Sequence, residues 1–329
     1  MMAESRRRFL QSAALAIGAV GTLGAASRQT PADRGAAGGP SQAPRGLAPP
    51  RAVPTPASAL QVPKMRFGGV EISRLVVGCN PFYGYAHYNA ILAAVMREYY
   101  TPERVCDVLH QCNRFGINAC CYVDRERPRQ DLDRFLAEGG CMHLIVQALP
   151  GDPAPLHAAR KPLAMYHHGE HTDRAFQDGR MAAVRDWCKQ ARDLGCMVGV
   201  GTHKPEVVAL VEEQGWDVDF FAGCVYNRTR TADEWRKVLN GESLEMPGEI
   251  YLKSDPPRMY QVMRQTRKTC FAFKIMAAGR IGDSGADDAF TQAFSSIKPI
   301  DGIFVGMFPR LKDEVRENAE RVCRILRSA

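Results

Sequence analysis

The segment "YHHGEHTD", Tyr166–Asp173, places three histidines and two carboxylates within eight residues. Side chains of these types can bind a metal ion, transfer protons or hydrogen-bond within a turn. His167 and His168 end a predicted strand, where neighbouring residues face opposite sides, so only one of them can enter a site. His203 ends the next predicted strand, and His87 or an acid of the segment could complete a divalent metal site with His167 and His203. A substrate pocket lined by these histidines without a metal is the preferred interpretation.

Lys274, in the segment "AFKIMAAGR", is the second unusual residue. It falls inside a predicted apolar strand, where a charged amine is costly unless it is paired. Such an amine could form an imine with a carbonyl substrate, or bind a substrate carboxylate or phosphate. The structural alternative is a salt bridge inside the barrel with an acid such as Asp124.

These residues follow short apolar runs that alternate with longer amphipathic segments, a pattern typical of parallel β-α-β units. The predicted strands are Leu75–Val77, Ala119–Tyr122, Leu144–Ala148, Leu163–His167, Met197–Val200, Phe220–Val225, Ala272–Ile275 and Ile303–Val305. The segment "TPERVCDVLHQCNRFG" has the signals of a helix, with Thr101 as N-cap, Pro102 at the first position and Gly116 as the stop. Two more helices are predicted to end at Gly195 and Gly215.

Eight such repeats predict an α/β fold, a single closed (β/α)8 TIM barrel, whose usual size is about 250 residues. A doubly wound sheet would carry a G-x-G-x-x-G turn after its first strand, and this sequence has "GCNPFYGYAHYN" there. In a barrel the reacting groups come from the carboxyl ends of the strands. The predicted catalytic residues are His167, Lys274, Asp124 and His203. The predicted substrate-binding residues are Asn80, Gln147, His168, Tyr226 and Asn227.

Several segments resemble, in order, the aldo-keto reductase family. "MRFGGVEISRLVVGC" is similar to its opening hairpin and first strand, "RFGIN" to the run into its second strand, and "GVGTHKPEVV" to its fifth-strand turn. "CVYNRTR" is similar to its sixth-strand Tyr-Asn and "RENAERV" to its Glu-Asn near the C-terminus. The resemblance covers the chain from Met65 onward. It implies a barrel that acts on carbonyl groups with NADP(H), in which Glu317 and Asn318 would touch the adenine.

The catalytic tetrad of that family, Asp-Tyr-Lys-His, is mostly replaced here. The alignment places Cys121 at the Asp, Glu126 at the Tyr and Gln147 at the Lys, and it keeps only the histidine, as His167 turned into the barrel. Hydride transfer assisted by a tyrosine is therefore not implied. The cofactor stays open, with NADP(H) and a divalent metal as the two candidates.

The segment "SRRRFLQSAALAIGAVGTLGAAS", Ser5–Ser27, resembles a twin-arginine export signal, which is predicted to end at residue 26. Residues 27–61 are rich in Pro, Ala, Gly and Arg and nearly lack large apolar residues, which predicts a disordered linker. Residues 62–329 are predicted to form the barrel. The apolar run Ser12–Ala26 is shorter than the roughly 20 residues that span a bilayer. This organisation predicts a periplasmic or extracellular protein without a stable membrane anchor after signal cleavage.

The composition argues against a nucleic-acid-binding protein and against a structural zinc site. The 329-residue chain carries a net charge of +7, but much of the excess lies before residue 52, so the remaining body is near neutral. We therefore expect a small-molecule substrate and no nucleic-acid partner. The eleven cysteines include no C-x-x-C pair, and several lie in predicted strands, where a free thiol behaves as a small buried apolar group. Mostly buried thiols are expected.

Three functions are compatible with the sequence. The first is an exported aldo-keto reductase-like oxidoreductase acting on a small carbonyl or sugar-like compound. The second is a metal- or lysine-assisted lyase, isomerase or hydrolase acting on a sugar or polyol. The third is a non-catalytic sugar-binding barrel. The replaced tetrad and the scarcity of free nicotinamide cofactor outside the cytoplasm favour the second function, whereas the resemblance favours the first by analogy of fold.

Overall fold

The computed structural model describes residues 60–242 and 249–327. The predicted signal peptide, residues 1–26, and residues 27–59 of the predicted linker lie outside this part of the chain. The strands are β1 (Lys64–Phe67), β2 (Val70–Ser73), β3 (Leu75–Gly78), β4 (Ala119–Tyr122), β5 (His143–Ala148), β6 (Ala164–His167), β7 (Met197–Thr202), β8 (Phe220–Cys224), β9 (Thr269–Phe273) and β10 (Gly302–Gly306).

Strands β3 to β10 close into a barrel in the order β10-β3-β4-β5-β6-β7-β8-β9. Each adjacent pair is parallel. The ring closes where Ile303 of β10 pairs with Leu75 of β3. The predicted (β/α)8 TIM barrel is therefore confirmed.

Helices connect the barrel strands, and their ends follow the local sequence signals. They are α1 (Ala90–Tyr99), α2 (Pro102–Arg114), α3 (Glu126–Ala137), α4 (Ala154–Arg160), α5 (Gly169–Gln177), α6 (Met181–Asp193), α7 (Pro205–Glu213), α8 (Ala232–Leu239), α9 (Asp255–Gln265), α10 (Ala286–Ser296) and α11 (Glu314–Arg327). In α2, Thr101 accepts a hydrogen bond from the backbone N–H of Arg104, and Pro102 is the first residue. Gly116, Gly195 and Gly215 all have positive φ just beyond helix ends.

Alternate residues of the strands form two apolar layers. One layer fills the barrel and includes Val76, Ile145, Phe220, Phe271 and Phe304. The other lies between the barrel and the helices, where strand residues pack on helix residues. The inward and outward positions are thus fixed by the apolar pattern, and this determines which polar side chains can reach the mouth.

The hairpin of β1 and β2 closes the amino-terminal end of the barrel. Its turn residues Gly68 and Gly69 have φ of 60° and 82°, the left-handed pair that a two-residue hairpin turn requires. Phe67 enters the barrel and makes edge-to-face contacts with Phe220 and Phe271 at ring-centroid distances of 5.3 and 5.1 Å. This end is therefore filled by aromatic side chains.

The predicted strands agree with the structure to within a few residues at each end, and the seventh barrel strand shows the largest shift. It was expected at Ala272–Ile275 but is Thr269–Phe273. Lys274 is the first residue after the strand rather than a residue inside it, and its φ of 60° is left-handed. Extended pairing cannot continue through such a residue, so β9 ends at this point.

The cysteines are all free, and ten of the eleven are buried, with Cys141 exposed. The expectation of mostly buried thiols is confirmed. Within residues 60–242 and 249–327, none of the helices combines the length and the apolar composition needed to cross a bilayer.

Candidate active site

A cavity of about 330 Å³ lies at one side of the barrel mouth, at the carboxyl ends of β3, β9 and β10. Such a volume is at the lower end of the range for small-molecule sites, which is roughly 300 to 1,000 Å³. The cavity extends from the barrel mouth to the start of the last helix, and its polar lining includes Asn80, His87, Lys274, Asn318 and Arg321. Asn80, His87 and Lys274 lie at the mouth end, where the barrel rule places reacting groups.

Lys274 is the cation at this mouth that lacks a protein partner. Within the described part of the chain its ammonium group makes no hydrogen bond or ion pair, and the ring of Phe273 lies 5.6 Å from Nζ. Burial lowers the pKa of Lys274 to about 8, and the positive charge of Arg228 acts in the same direction. A large fraction of the amine is therefore neutral near pH 8, the form that attacks a carbonyl group.

His203 and Asp173 form a buried pair beside the mouth. Asp173 Oδ2 lies 2.7 Å from His203 Nδ1, and the same carboxylate accepts from the His203 backbone N–H and the Thr229 hydroxyl. Arg228 Nη1 lies 3.2 Å from His203 Nε2. A guanidinium only donates, so Nε2 is the acceptor and the Nδ1–H of the neutral ring donates to Asp173. Burial lowers the pKa of His203 against the opposing effect of Asp173.

Arg228, which follows β8, is bound to a carboxylate that comes from a distant segment. Its guanidinium donates to Glu249, and Glu249 Oε1 also lies 2.7 Å from His87 Nδ1. The hydroxyl of Tyr251 donates to the other oxygen of Glu249 at 2.7 Å. The Arg228 side chain is 7% exposed and that of Glu249 is 26% exposed, so a buried guanidinium pairs with a partly buried carboxylate.

Arg280 joins the two segments that carry His87 and Glu249. Its guanidinium donates to the backbone carbonyl of His87 at 2.9 Å and to that of Glu249 at 3.0 Å. The guanidinium also lies 4.9 Å from the Tyr88 ring centroid and 4.2 Å from that of Tyr251. These contacts hold both segments over one side of the mouth.

The inner wall below the mouth carries a short polar chain. The thiol of Cys121 lies 3.2 Å from the Tyr166 hydroxyl, and that hydroxyl lies 3.4 Å from Gln147 Oε1. Burial raises the pKa of Cys121 to about 11 and that of Tyr166 well above its ordinary value. These groups are therefore neutral hydrogen-bonding groups, and the predicted site residue Gln147 does face the interior.

His167 points in the opposite direction from the one expected. Tyr166 belongs to the apolar layer inside the barrel and Met165 to the outer layer, so His167 also faces outward. Its ring contacts Trp187 of α6 at 5.3 Å between centroids, and Nδ1 lies 2.8 Å from the Thr172 hydroxyl. The alignment that turned His167 into the barrel was wrong by one residue, which reverses the face of a strand.

His168, and not His167, adjoins the mouth. It caps α5, where its Nδ1 accepts from the backbone N–H of Glu170 at 3.2 Å. Burial lowers the pKa of His168 to about 4, and His203 and Lys274 are close enough to act in the same direction. His168 is therefore neutral, and the charge of Lys274 acts on it.

Asp124 does not pair with Lys274, as the structural alternative had suggested. Its carboxylate accepts from Arg129 Nε at 2.9 Å and lies 3.8 Å from Arg160. The hydroxyl of Tyr122, on the outer face of β4, also donates to it. Asp124 is thus bound to helix residues outside the barrel, which leaves Lys274 unneutralised.

The predicted metal set does not assemble. Within residues 60–242 and 249–327, no group of three His, Cys, Asp or Glu side chains is arranged to hold a metal ion. His167 faces the helices, whereas His203 is bound to Asp173 and His87 to Glu249. His167, His203 and His87 therefore do not form the site that the sequence suggested.

Of the other residues predicted to bind substrate or cofactor, Asn318 lines the cavity, whereas Tyr226 and Asn227 do not. Tyr226 is buried and packs on Tyr251, with ring centroids 5.0 Å apart. Asn227 is buried and organises its own loop, since its side chain accepts from the Thr229 backbone N–H. Asn318 lines the far end of the cavity, where its side chain accepts from Arg321.

The predicted adenine contacts fit NADP(H) only in part. Glu317 Oε2 lies 2.7 Å from Lys312 and 3.4 Å from Arg321, so its carboxylate already has protein partners. The hydroxyl of Thr202, at the end of β7, donates to Asp173. Of the two predicted adenine contacts, only Asn318 lines the cavity.

Sequence reasoning missed Tyr166, Arg228, Glu249 and Tyr251. Arg228 follows the sixth barrel strand directly, so the rule that strand ends carry function could have found it. Tyr166 lies two residues before His168 and shares its face of the strand. Glu249 and Tyr251 follow no strand, and nothing in their local sequence marks them.

No protein-family model matches the chain, and no curated protein matches it. Among solved structures it is similar to a truncated form of 3-deoxy-D-arabino-heptulosonate 7-phosphate synthase from Thermotoga maritima, at 12% identity over 82% of this chain and 92% of that chain, with a TM-score of 0.47. It is also similar to an aldo/keto reductase from Brucella melitensis, at 11% identity over 80% of this chain and 93% of that chain, with a TM-score of 0.40. These likenesses concern the fold alone, and this chain has the TIM-barrel fold that is common among enzymes.

Proposed function

We propose that this protein is a barrel enzyme that uses the amine of Lys274 to form an imine with a small hydroxylated carbonyl compound, as a lyase or an isomerase. The observation that carries the proposal is the position of Lys274, at the carboxyl end of a barrel strand, lining the cavity and without a protein partner among the described residues. A lysine held only for structure would be expected to pair with a carboxylate, because burying an unpaired charge is costly.

The chemistry requires a neutral amine and a nearby base. Nζ adds to the carbonyl carbon, and the carbonyl oxygen leaves as water to give a protonated imine. The imine withdraws electrons from the neighbouring carbon, so a base can take a proton there or a carbon–carbon bond can break. Water then hydrolyses the imine and releases the amine. His168 is neutral and the charge of Lys274 acts on it, which supports it as the base.

Borohydride trapping tests the proposal directly. The protein is incubated with hydroxyacetone or dihydroxyacetone and then reduced, and the modified peptide is found by mass spectrometry. We expect one adduct, on Lys274, with a yield that rises with pH through about 8 as the amine loses its proton. The variant Lys274→Met should lose the adduct, whereas Lys253→Met, at an exposed lysine, should keep it. Adducts spread evenly over exposed lysines would refute the proposal.

A nicotinamide-dependent reductase is the second candidate. One observation favours it, namely that the cavity continues from Lys274 to Asn318 and Arg321. When bound, NADP(H) would supply hydride to a carbonyl group at the mouth. Titration with NADPH and NADH, followed by protein fluorescence, tests this candidate, and no binding at millimolar cofactor would exclude it. Binding of a sugar without turnover or adduct would instead favour a non-catalytic barrel.

We further propose that the protein is exported through the twin-arginine route. The support is the sequence of residues 1–26, which lies outside the described part of the chain. Fusing residues 1–60 to a reporter that needs folded export should place the reporter outside the cytoplasm. Replacing Arg6, Arg7 and Arg8 with Lys should retain it inside.

A further inference from the structure

The carboxylate of Glu249 occupies a pocket of donors at the barrel mouth. His87 Nδ1 and the Tyr251 hydroxyl each lie 2.7 Å from one of its oxygens, and the Arg228 guanidinium donates to it as well. Glu249 comes from a segment 162 residues beyond His87 in the chain. Three side chains thus converge on one carboxylate, and two of them, His87 and Arg228, come from other loops.

Arg228 has more donor capacity than Glu249 uses. Its Nη2 binds Glu249, and its Nη1 lies against His203. Its Nε is buried and has no hydrogen-bond partner among the described residues, although the Arg228 side chain is only 7% exposed. A free carboxylate can engage Nε and Nη2 together in the two-pronged geometry that guanidinium groups favour.

We propose that Arg228 and His87 form a binding site for the carboxylate of the substrate, which Glu249 occupies in its absence. The substrate displaces Glu249 and brings one negative charge in its place, so the buried guanidinium is never left without a counter-ion. Resting on the function proposed for Lys274, this inference narrows the substrate class to small 2-oxo acids.

The positions of Arg228 and Lys274 suit such a molecule. Arg228 follows β8 and Lys274 follows β9, and neighbouring strands lie about 4.8 Å apart. In a 2-oxo acid the carbonyl carbon is bonded directly to the carboxylate. His87, which shares the Glu249 carboxylate with Arg228, lines the same 330 Å³ cavity as Lys274. One small ligand can therefore direct its carboxylate to His87 and Arg228 and its carbonyl group to Lys274.

Calorimetry on the Lys274→Met protein separates carboxylate binding from imine formation. The two probes are pyruvate and hydroxyacetone, which have similar size but differ in charge. We expect pyruvate to bind and hydroxyacetone to bind at least about tenfold more weakly. Adding Glu249→Gln should tighten pyruvate binding about tenfold, because the internal competitor loses its charge. Adding Arg228→Lys instead should weaken pyruvate binding about tenfold, because lysine keeps the positive charge but lacks the two-pronged geometry of the guanidinium group.

Glu170→Gln is the matched control. Glu170 lies 3.6 Å from Arg228 but makes no hydrogen bond to it among the described contacts, so its removal should change pyruvate binding much less than Glu249→Gln does. Misfolding would weaken pyruvate binding, so tighter binding by Glu249→Gln can only reflect the loss of the competing carboxylate. Unchanged pyruvate affinity in Glu249→Gln, or equal effects of the two variants, would overturn the inference.

The two proposals fail in different ways. If wild-type protein gives a Lys274 adduct with pyruvate and Arg228→Lys traps it equally well, the carboxylate site is wrong and the imine chemistry stands. If pyruvate binding depends on Arg228 but no carbonyl compound is ever trapped on Lys274, the carboxylate site stands and the imine chemistry is wrong.

Discussion

The two ends of the barrel bury their side chains by different means. At the amino-terminal end, Phe67, Phe220 and Phe271 fill the interior with ring contacts at centroid distances of 5.1 to 5.8 Å. At the carboxyl end, Asp173 is fully buried and the Arg228 side chain is mostly buried, but each is held by charged or polar partners. Apolar side chains are stabilised by close packing alone, whereas a buried charged side chain also needs an oppositely charged or hydrogen-bonding partner. Lys274 has no such partner among the described residues, and for this reason we infer a functional role for it.

Phe271→Ala should have the largest effect on stability. Phe271 is fully buried and contacts Phe67, Phe220 and Phe304, so its loss leaves a cavity that the barrel cannot fill. We expect the free energy of unfolding to fall by about 4 kcal/mol, measured by urea denaturation. Phe271→Leu, which keeps most of the volume, should cost less than half as much. An equal loss of stability in the two variants would mean that the volume of the side chain at position 271 does not determine stability at the amino-terminal end.

Asp173→Ala should have the next largest effect, of about 3 kcal/mol. The change leaves the backbone N–H and the Nδ1–H of His203 without their acceptor. Asp173→Asn keeps the shape and one acceptor oxygen, so it should cost less in the same denaturation experiment. If neither variant loses stability, the hydrogen bonds of Asp173 do not stabilise the carboxyl end of the barrel.

Lys274→Met should act in the opposite direction and stabilise the protein. The pKa of Lys274 falls from 10.5 to about 8 on folding, so below pH 8 the folded protein bears the cost of the buried charge. At pH 7 we expect a gain on the order of 2 kcal/mol. Between pH 8 and 10.5 the unfolded chain binds more protons at this site than the folded one, so the wild type recovers stability and the difference narrows.

The comparison that tests Lys274→Met is the difference between variant and wild type at each pH, because buried thiols and tyrosines titrate in the same range. Lys253→Met, at an exposed lysine, should show no such narrowing. A destabilised Lys274→Met would indicate that the amine has a stabilising partner after all.

Glu206→Gln should have the smallest effect. Glu206 pairs with Arg258 at 2.7 Å, but both side chains are about half exposed. Exposed pairs contribute roughly 0 to 1 kcal/mol, and we expect a change below about 0.5 kcal/mol by denaturation. A larger loss would show that charge pairing stabilises this protein even where water competes.

Much of the fold could be predicted from the sequence because its signals are local. The apolar runs locate the strands, and Thr101, Pro102 and Gly116 mark the ends of α2. The ends of the strands then predicted Lys274, His203 and Asn80 near one mouth. Each of these inferences needs only a few neighbouring residues and the geometry of a closed barrel.

The rest of the site depends on information that local sequence does not contain. A one-residue error in alignment exchanged Tyr166 and His168 for His167, because the side-chain period of a strand is two. Lys274 adopts a left-handed φ that its residue type does not predict. Glu249 meets His87 and Arg228 only through the tertiary fold, since no motif links segments so far apart.

The guanidinium of Arg280 has a mechanical consequence for entry to the cavity. It is bonded to the backbone of both covering segments and lies between the rings of Tyr88 and Tyr251. Because His87 lines the cavity, widening the cavity on this side requires either that Arg280 releases one of the two carbonyl groups or that both segments move together.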